Sequence, residues 1–293
     1  MHALIEELLA SAPVVTDGAW GTQLQARGLE PGGSAELWNL EHPDQVEEVA
    51  RSYVEAGSRI ILTNTFGGSR LALERHGLAG RAAEINRRGA EISRRAAGER
   101  ARVFASIGPS GRMVMMGEVE EGELRAAFEE QAEALAEGGA DGIVIETMTD
   151  PEEIEVAVAA ARKTGLPVVG CMVFDSGPER DRTIMGQTPG EVASLLEEAG
   201  VDVVGANCGQ GIEGFVPVCR QLRAATDLPL WIKPNAGLPE MADGRVVYRT
   251  SPEEFAGFVP ALIEEGAGFI GGCCGTTPEF IRAVVSVLEE RKP

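Results

Sequence analysis

Long apolar runs are missing from this chain: no stretch of its 293 residues approaches the length of a membrane span. The first dozen residues, Met1 to Ala12, carry Glu6 and Glu7 and no basic cluster, so they do not read as a signal peptide. Basic charge is scarce. The net charge of −20 opposes phosphate backbones and anionic membranes, which excludes nucleic acid as an expected partner. Lysine is rarer still, at Lys163, Lys233 and Lys292 only. Histidine occurs three times, at His2, His42 and His76, all in the N-terminal quarter. Cysteine is limited to five positions, too few for a disulfide framework in a chain this long, and a reducing cytoplasm is the expected setting.

What is present is alternation. Short β-rich runs fall at 14–17, 59–63, 102–107, 142–146, 167–174, 202–206, 230–233 and 268–272, and segments of helical period lie between them. Four helix starts pair a capping residue with proline: Asp150-Pro151, Thr188-Pro189, Ser251-Pro252 and Thr277-Pro278. Eight strands alternating with helices predict an α/β fold, a (β/α)8 barrel, as a single domain over residues 1–293. An open doubly wound sheet is the alternative, and the tally of eight favours the barrel. Two loops exceed what such a barrel requires. One runs from Ala19 to Pro43; the other, Gly108 to Gly122, carries Met113, Met115 and Met116 and reads equally as a lid or as an apolar flap on the rim.

In a barrel of this kind, chemistry collects at the C-terminal ends of the strands. Asp17, Asn64, Glu146, Asn207 with Cys208, Asn235, and Cys273 with Cys274 all fall there. The adjacent thiols Cys273 and Cys274 lie within Gly271-Gly272-Cys273-Cys274-Gly275-Thr276-Thr277-Pro278. Neighbouring side chains in a strand point to opposite faces, so the backbone must leave β geometry if both are to face one object. Glycine permits that. Thiolates favour soft metals, zinc being the common choice, and Cys208 at the end of another strand is the best third ligand. Three thiolates leave zinc a fourth position for a substrate, and the excess negative charge keeps a fourth thiolate nucleophilic. Two small core residues or a vicinal disulfide are the bland readings of the same pair. Cys171 and Cys219 read as packing.

Two further patterns compete. Gly209-Gln210-Gly211-Ile212-Glu213-Gly214 spells a dinucleotide-binding fingerprint, which is weak alone. Lys233 ends the seventh strand where a Schiff-base lysine would sit, although a salt bridge at the surface or rim is favoured.

Together, Asp17-Gly18-Ala19-Trp20-Gly21-Thr22, Thr63-Asn64-Thr65-Phe66, Glu146-Thr147, Asn207-Cys208, Pro234-Asn235-Ala236-Gly237 and the Gly271 to Pro278 motif resemble the zinc-dependent homocysteine S-methyltransferases. The resemblance spans essentially the whole chain. It is closest to the homocysteine-binding module of cobalamin-dependent methionine synthase. It implies methyl transfer to the thiol of homocysteine, giving methionine, with Cys208, Cys273 and Cys274 on zinc. It also implies a substrate pocket formed by Asp17, Gly18, Ala19, Thr22, Asn64, Glu146, Asn207 and Asn235. Asp17 and Glu146 would lie near the ammonium, and backbone N–H groups of Gly18 to Thr22 near the carboxylate. Asn235 would be placed to offer its amide oxygen to the metal when substrate is absent. No side chain beyond the metal-activated substrate thiol is expected to be catalytic.

The sequence departs from that family in two ways. No Asp-x-His-x-x-Gly corrinoid motif occurs, and position 20 is tryptophan where methionine is frequent. The implied donor is a methylated corrinoid, methylcobalamin supplied by a separate protein or domain, and the chain then reads as a stand-alone partner or one module of a longer protein. A small donor of the S-methylmethionine or betaine type is the alternative. A non-catalytic zinc-holding or corrinoid-protein-docking module is the reading of another class, and the amino-acid pocket argues against it.

Overall fold

The computed structural model describes residues 1–242 and 245–291, so Lys292 lies outside them. Its strands, in chain order, are β1 Val14–Val15, β2 Ile60–Ile61, β3 Arg102–Ile107, β4 Gly142–Met148, β5 Val168–Met172, β6 Val203–Gly211 and β7 Leu230–Asn235. A small antiparallel hairpin follows, β8 Glu240–Ala242 with β9 Arg245–Val247, and then β10 Ala267–Ile270. Eight of these form one parallel sheet in the order β1-β10-β7-β6-β5-β4-β3-β2. The amide of Arg59 donates to the carbonyl of Val15 at 2.8 Å, which joins the two ends of that order. The result is a closed (β/α)8 barrel.

Both faces of each strand are covered, which is why the strands read as apolar runs rather than alternating ones. Inward residues pack a dense interior in which Trp231 lies between Phe104 and Phe269, at ring-centroid distances of 5.9 and 5.4 Å. The N-terminal helix Ala3–Leu9 adds Ile5 and Leu8 to that same cluster. The interior is therefore filled from the N-terminal side, and open space remains only toward the C-terminal strand ends.

All four anticipated helix starts are real caps. Asp150 and Thr277 accept from the backbone of Glu152 and Glu279, while Thr188 and Ser251 each complete a capping box. Each such cap stabilises its helix by about 1 kcal/mol. One helix differs from its sequence pattern: 252–265 is broken at Phe258 into Pro252–Gly257 and Val259–Glu264. Pro260 supplies no amide and its ring crowds the preceding turn, which favours a break there.

The long loop after β1 folds over the barrel mouth and contributes two short helices, Gly21–Gln25 and Trp38–Glu41. The loop of residues 108–122 packs in part against the core through Val114. It is pinned by the Ser110 amide on Glu153 (2.7 Å) and by buried Val119, while Met113 and Met116 point to solvent. The side chain of Met115 lies outside the described residues.

Candidate active site

A cavity of about 250 Å³ opens at the C-terminal ends of the strands, a size suited to a metabolite rather than a larger ligand. Of the residues read as site members, Gly18, Ala19, Thr22, Asn64, Glu146, Cys208, Cys273 and Cys274 line it. Asp17, Asn207 and Asn235 stand behind the wall, each no more than 4% exposed. Trp20, Glu36, Phe66, Ser106, Thr147 and Lys233 also line the cavity. Ser106 sits at the end of β3 and was legible as a strand-end polar residue. Glu36 comes from a loop, where no periodicity marks it.

The three thiols meet. Their sulfurs lie within 4.8 Å of one another, and the Cys208–Cys274 separation is 3.8 Å. A tetrahedral zinc with Zn–S bonds of about 2.3 Å places its sulfurs about 3.8 Å apart, so the trio fits such an ion. All three are free and half-buried, which separates them from buried Cys171 and Cys219. The backbone departs from β geometry at two places to achieve this. Cys208 takes φ +62° within a register shift of β6 against β7, a conformation that disfavours any residue with a Cβ. Gly275 takes φ +81° beyond the cysteine pair. Gly271 and Gly272 serve another purpose: a Cβ on Gly271 would come within 2.6 Å of the Asp17 carbonyl, and one on Gly272 would strike Thr276. Gly271 lets the thiol loop lie against the chain that follows β1, and Gly272 lets that loop fold back on its own Thr276.

Asn207 ties this centre to β4. Its Oδ1 accepts from the Thr147 amide (2.8 Å) and its Nδ2 donates to the Thr147 hydroxyl (2.7 Å). Those bonds hold Thr147 at φ +62°, beside Glu146. The same Nδ2 is 3.8 Å from Cys273 Sγ. Asn64 is likewise committed to the scaffold, its Nδ2 donating to the Ala35 carbonyl and to Asn39. Among the buried side-chain polar atoms without a partner are two at the site: the Thr22 hydroxyl and Oδ1 of Asn235, whose amide adjoins Cys208.

The charged groups are arranged unexpectedly. Lys233 is not at the surface or rim: it is buried and paired with the equally buried Asp17. Asp17 is fully engaged, because its other oxygen accepts from the Trp20 indole (2.8 Å) and the Leu62 amide (2.7 Å). Burial pushes the Lys233 ammonium down, but the carboxylates of Asp17 and Glu146 outweigh it and hold it above its ordinary value. Glu146 accepts from the Ser106 hydroxyl at 2.5 Å, and burial raises its carboxyl above the usual range against the opposing pull of Lys233. Hydrogen bonds from Cys273 and Cys274 bring the Cys208 thiol down to about 3. That thiolate in turn pushes Cys274 up to about 12 and Cys273 well above the ordinary thiol. Without a cation, then, the trio carries one negative charge.

The glycine-rich segment after Cys208 is not a nucleotide cradle. Gln210 folds back over it, its Nε2 donating to the carbonyls of Arg180 (3.0 Å) and Gly214 (3.4 Å), and a Cβ on Gly214 would collide with that side chain. The space that a pyrophosphate would need is filled.

Fold and site thus define a parallel barrel carrying a three-thiol centre beside an acidic cavity. A family model, homocysteine S-methyltransferase, matches residues 14–288. The chain belongs to the homocysteine S-methyltransferase family. It is 33% identical to the methionine synthase of Mycobacterium tuberculosis over 98% of its own length, and 33% identical to that of Mycobacterium leprae over 96%. In each case it spans 25% of the relative, about a quarter of those proteins. Among solved structures, it resembles the homocysteine methyltransferase MmuM from Escherichia coli in its metallated form, with a TM-score of 0.80 and 25% identity over 96% of this chain and 99% of that one. Among the described residues, no helix is long and apolar enough to cross a membrane.

Proposed function

We propose that residues 1–293 act as one zinc-dependent barrel that methylates the thiol of homocysteine to give methionine. The observation that carries this reading is the thiol trio, at the sulfur spacing of a tetrahedral zinc, on the wall of the cavity that also holds Glu146. The metallated form of MmuM and the methionine synthase relatives support it. Cys208, Cys273 and Cys274 would hold the ion, and the unpartnered Asn235 amide oxygen beside Cys208 would face it when no substrate is bound. Bound zinc supplies one thing, a substrate sulfur kept as thiolate near neutral pH.

The remaining work falls to the chain. Glu146 receives the substrate ammonium, its second oxygen being free of any strong partner. The turn Gly18 to Thr22 receives the carboxylate through backbone N–H groups and the unpartnered Thr22 hydroxyl. Asp17 and Asn207 position these groups from behind the wall. Asn64 fixes the loop that closes the cavity. No proton relay is required, because a thiolate that takes the methyl group while the demethylated donor leaves with the bonding pair moves no proton, and no histidine lines the cavity. A methylated corrinoid on a separate protein or domain is the donor that agrees with the methionine synthase relatives. A reducing compartment, the cytoplasm, is the setting that suits three free thiols at an open site.

The test is direct. Reduced, zinc-loaded protein is supplied with homocysteine and, separately, methylcobalamin, a methylated corrinoid protein, S-methylmethionine or betaine. Methionine should form with the corrinoid donors. Formation with betaine or S-methylmethionine alone would overturn the donor; formation with none would overturn the reading.

A further inference from the structure

The one basic side chain on the cavity wall, among the described residues, has no part in the scheme above. Lys233 lies in β7, between the strands that lead to Cys208 and to Cys273 with Cys274, and is 1% exposed. An ammonium has three N–H donors. Asp17 takes one, and no other described atom takes the rest. The Trp231 ring, 6.0 Å from Nζ, supports it from the barrel interior. A buried cation with donors unspent is unfavourable unless an acceptor comes to it.

The other charges on the wall say what that acceptor is. Glu36 is spent on the Gly67 amide (2.8 Å) and the Ser34 hydroxyl (3.1 Å). Asp17 is spent on Lys233, Trp20 and Leu62. Two groups beside the thiol centre keep hydrogen-bonding capacity: the second oxygen of Glu146, 3.4 Å from Asn207 Nδ2, and the remaining N–H donors of Lys233, which is ion-paired with Asp17. One negative and one positive group facing the same cavity mirror the zwitterion of an α-amino acid.

We propose that Lys233 is a substrate-binding residue that receives the carboxylate of the thiol substrate, with Asp17 as the positioning residue that holds its ammonium in place. The inference rests on the thiol-methylation reading and deepens it. It makes an anionic group on the substrate a condition of tight binding, supplied through a side chain as well as through the Gly18 to Thr22 turn.

The test uses zinc-loaded protein and three thiols, titrated calorimetrically: homocysteine, 4-sulfanylbutanoate, which lacks the ammonium, and 3-aminopropane-1-thiol, which lacks the carboxylate. Lys233→Met should weaken the first two by about ten- to a hundredfold, the loss of one charge-assisted hydrogen bond. It should leave 3-aminopropane-1-thiol within about twofold. Should Lys233→Met alone fail to fold, Lys233→Met with Asp17→Asn removes both charges of the buried pair and should give the same pattern. Equal weakening of all three thiols, or of none, overturns the proposal and leaves the thiol reading standing. Failure of the wild-type protein to bind any of the three overturns both.

Discussion

Glu146→Gln separates binding from stability. The wild-type carboxylate accepts from Ser106 at 2.5 Å through one oxygen, while the other lies 3.4 Å from Asn207 Nδ2, too far to be a strong bond. Glutamine has the same shape and keeps the oxygen facing Ser106. It presents N–H donors, however, where the substrate ammonium needs an acceptor. Losing that charge-assisted bond should weaken homocysteine binding by about 1.5–3 kcal/mol, or roughly ten- to a hundredfold. Stability should move the other way or not at all. Burial is the largest influence on Glu146 and raises its carboxyl above the ordinary value, so the native state resists its ionisation. A raised carboxylate means the folded protein binds the proton more tightly than the unfolded chain does. Its contribution to stability is therefore lost as pH rises from the ordinary carboxylate range through the raised value. The variant lacks this dependence and should melt at or above the wild-type temperature at neutral pH. Calorimetric titration with homocysteine, metal analysis and thermal melts at several pH values read all three effects. Unaltered affinity would refute the assignment of Glu146 to the ammonium. A drop in zinc content would show that the substitution reaches the thiol centre instead.

Other consequences follow from the thiol trio. Cys208→Ala should lose tightly bound zinc while Cys171→Ala, whose residue lies in the barrel interior, should keep it; metal analysis of the reduced proteins decides. Because the trio without a cation carries one thiolate at Cys208, with Cys273 and Cys274 held protonated, zinc uptake should release about two protons and strengthen with rising pH; buffer-dependent calorimetry counts them. Peroxide should expel the metal and abolish methionine formation, and reduction with added zinc should restore both, since released thiolates at an open rim form disulfides. Activity that survives loss of the metal would remove zinc from the chemistry.

Much of the fold was legible because its determinants are local. A capping residue before proline starts a helix wherever it occurs, and Asp150, Thr188, Ser251 and Thr277 all behave so. The loop of residues 108–122 and the hairpin of β8 and β9 escaped that logic, because neither has a helical or buried-strand period to announce it. The role of glycine was legible in kind but not in place. The left-handed turns include Gly275 and Cys208 itself, whereas Gly271 answers to the nearness of Thr16 and Asp17, which is tertiary.

The sequence alone determined the eight barrel strands in their chain order, and the residue types that reach the barrel mouth, since each depends on neighbours a few positions away. Only the tertiary structure decided which of those residues meet. Asp17 and Lys233 are 216 positions apart and nothing local predicts that one neutralises the other. Yet that contact withdraws Asp17 from the cavity and leaves Glu146 and the spare N–H donors of Lys233 facing it. Pairing of charges is set by barrel closure, which brings β1 beside β10 with β7 on the other side of β10, and Coulomb energy acts on distance through space rather than along the chain.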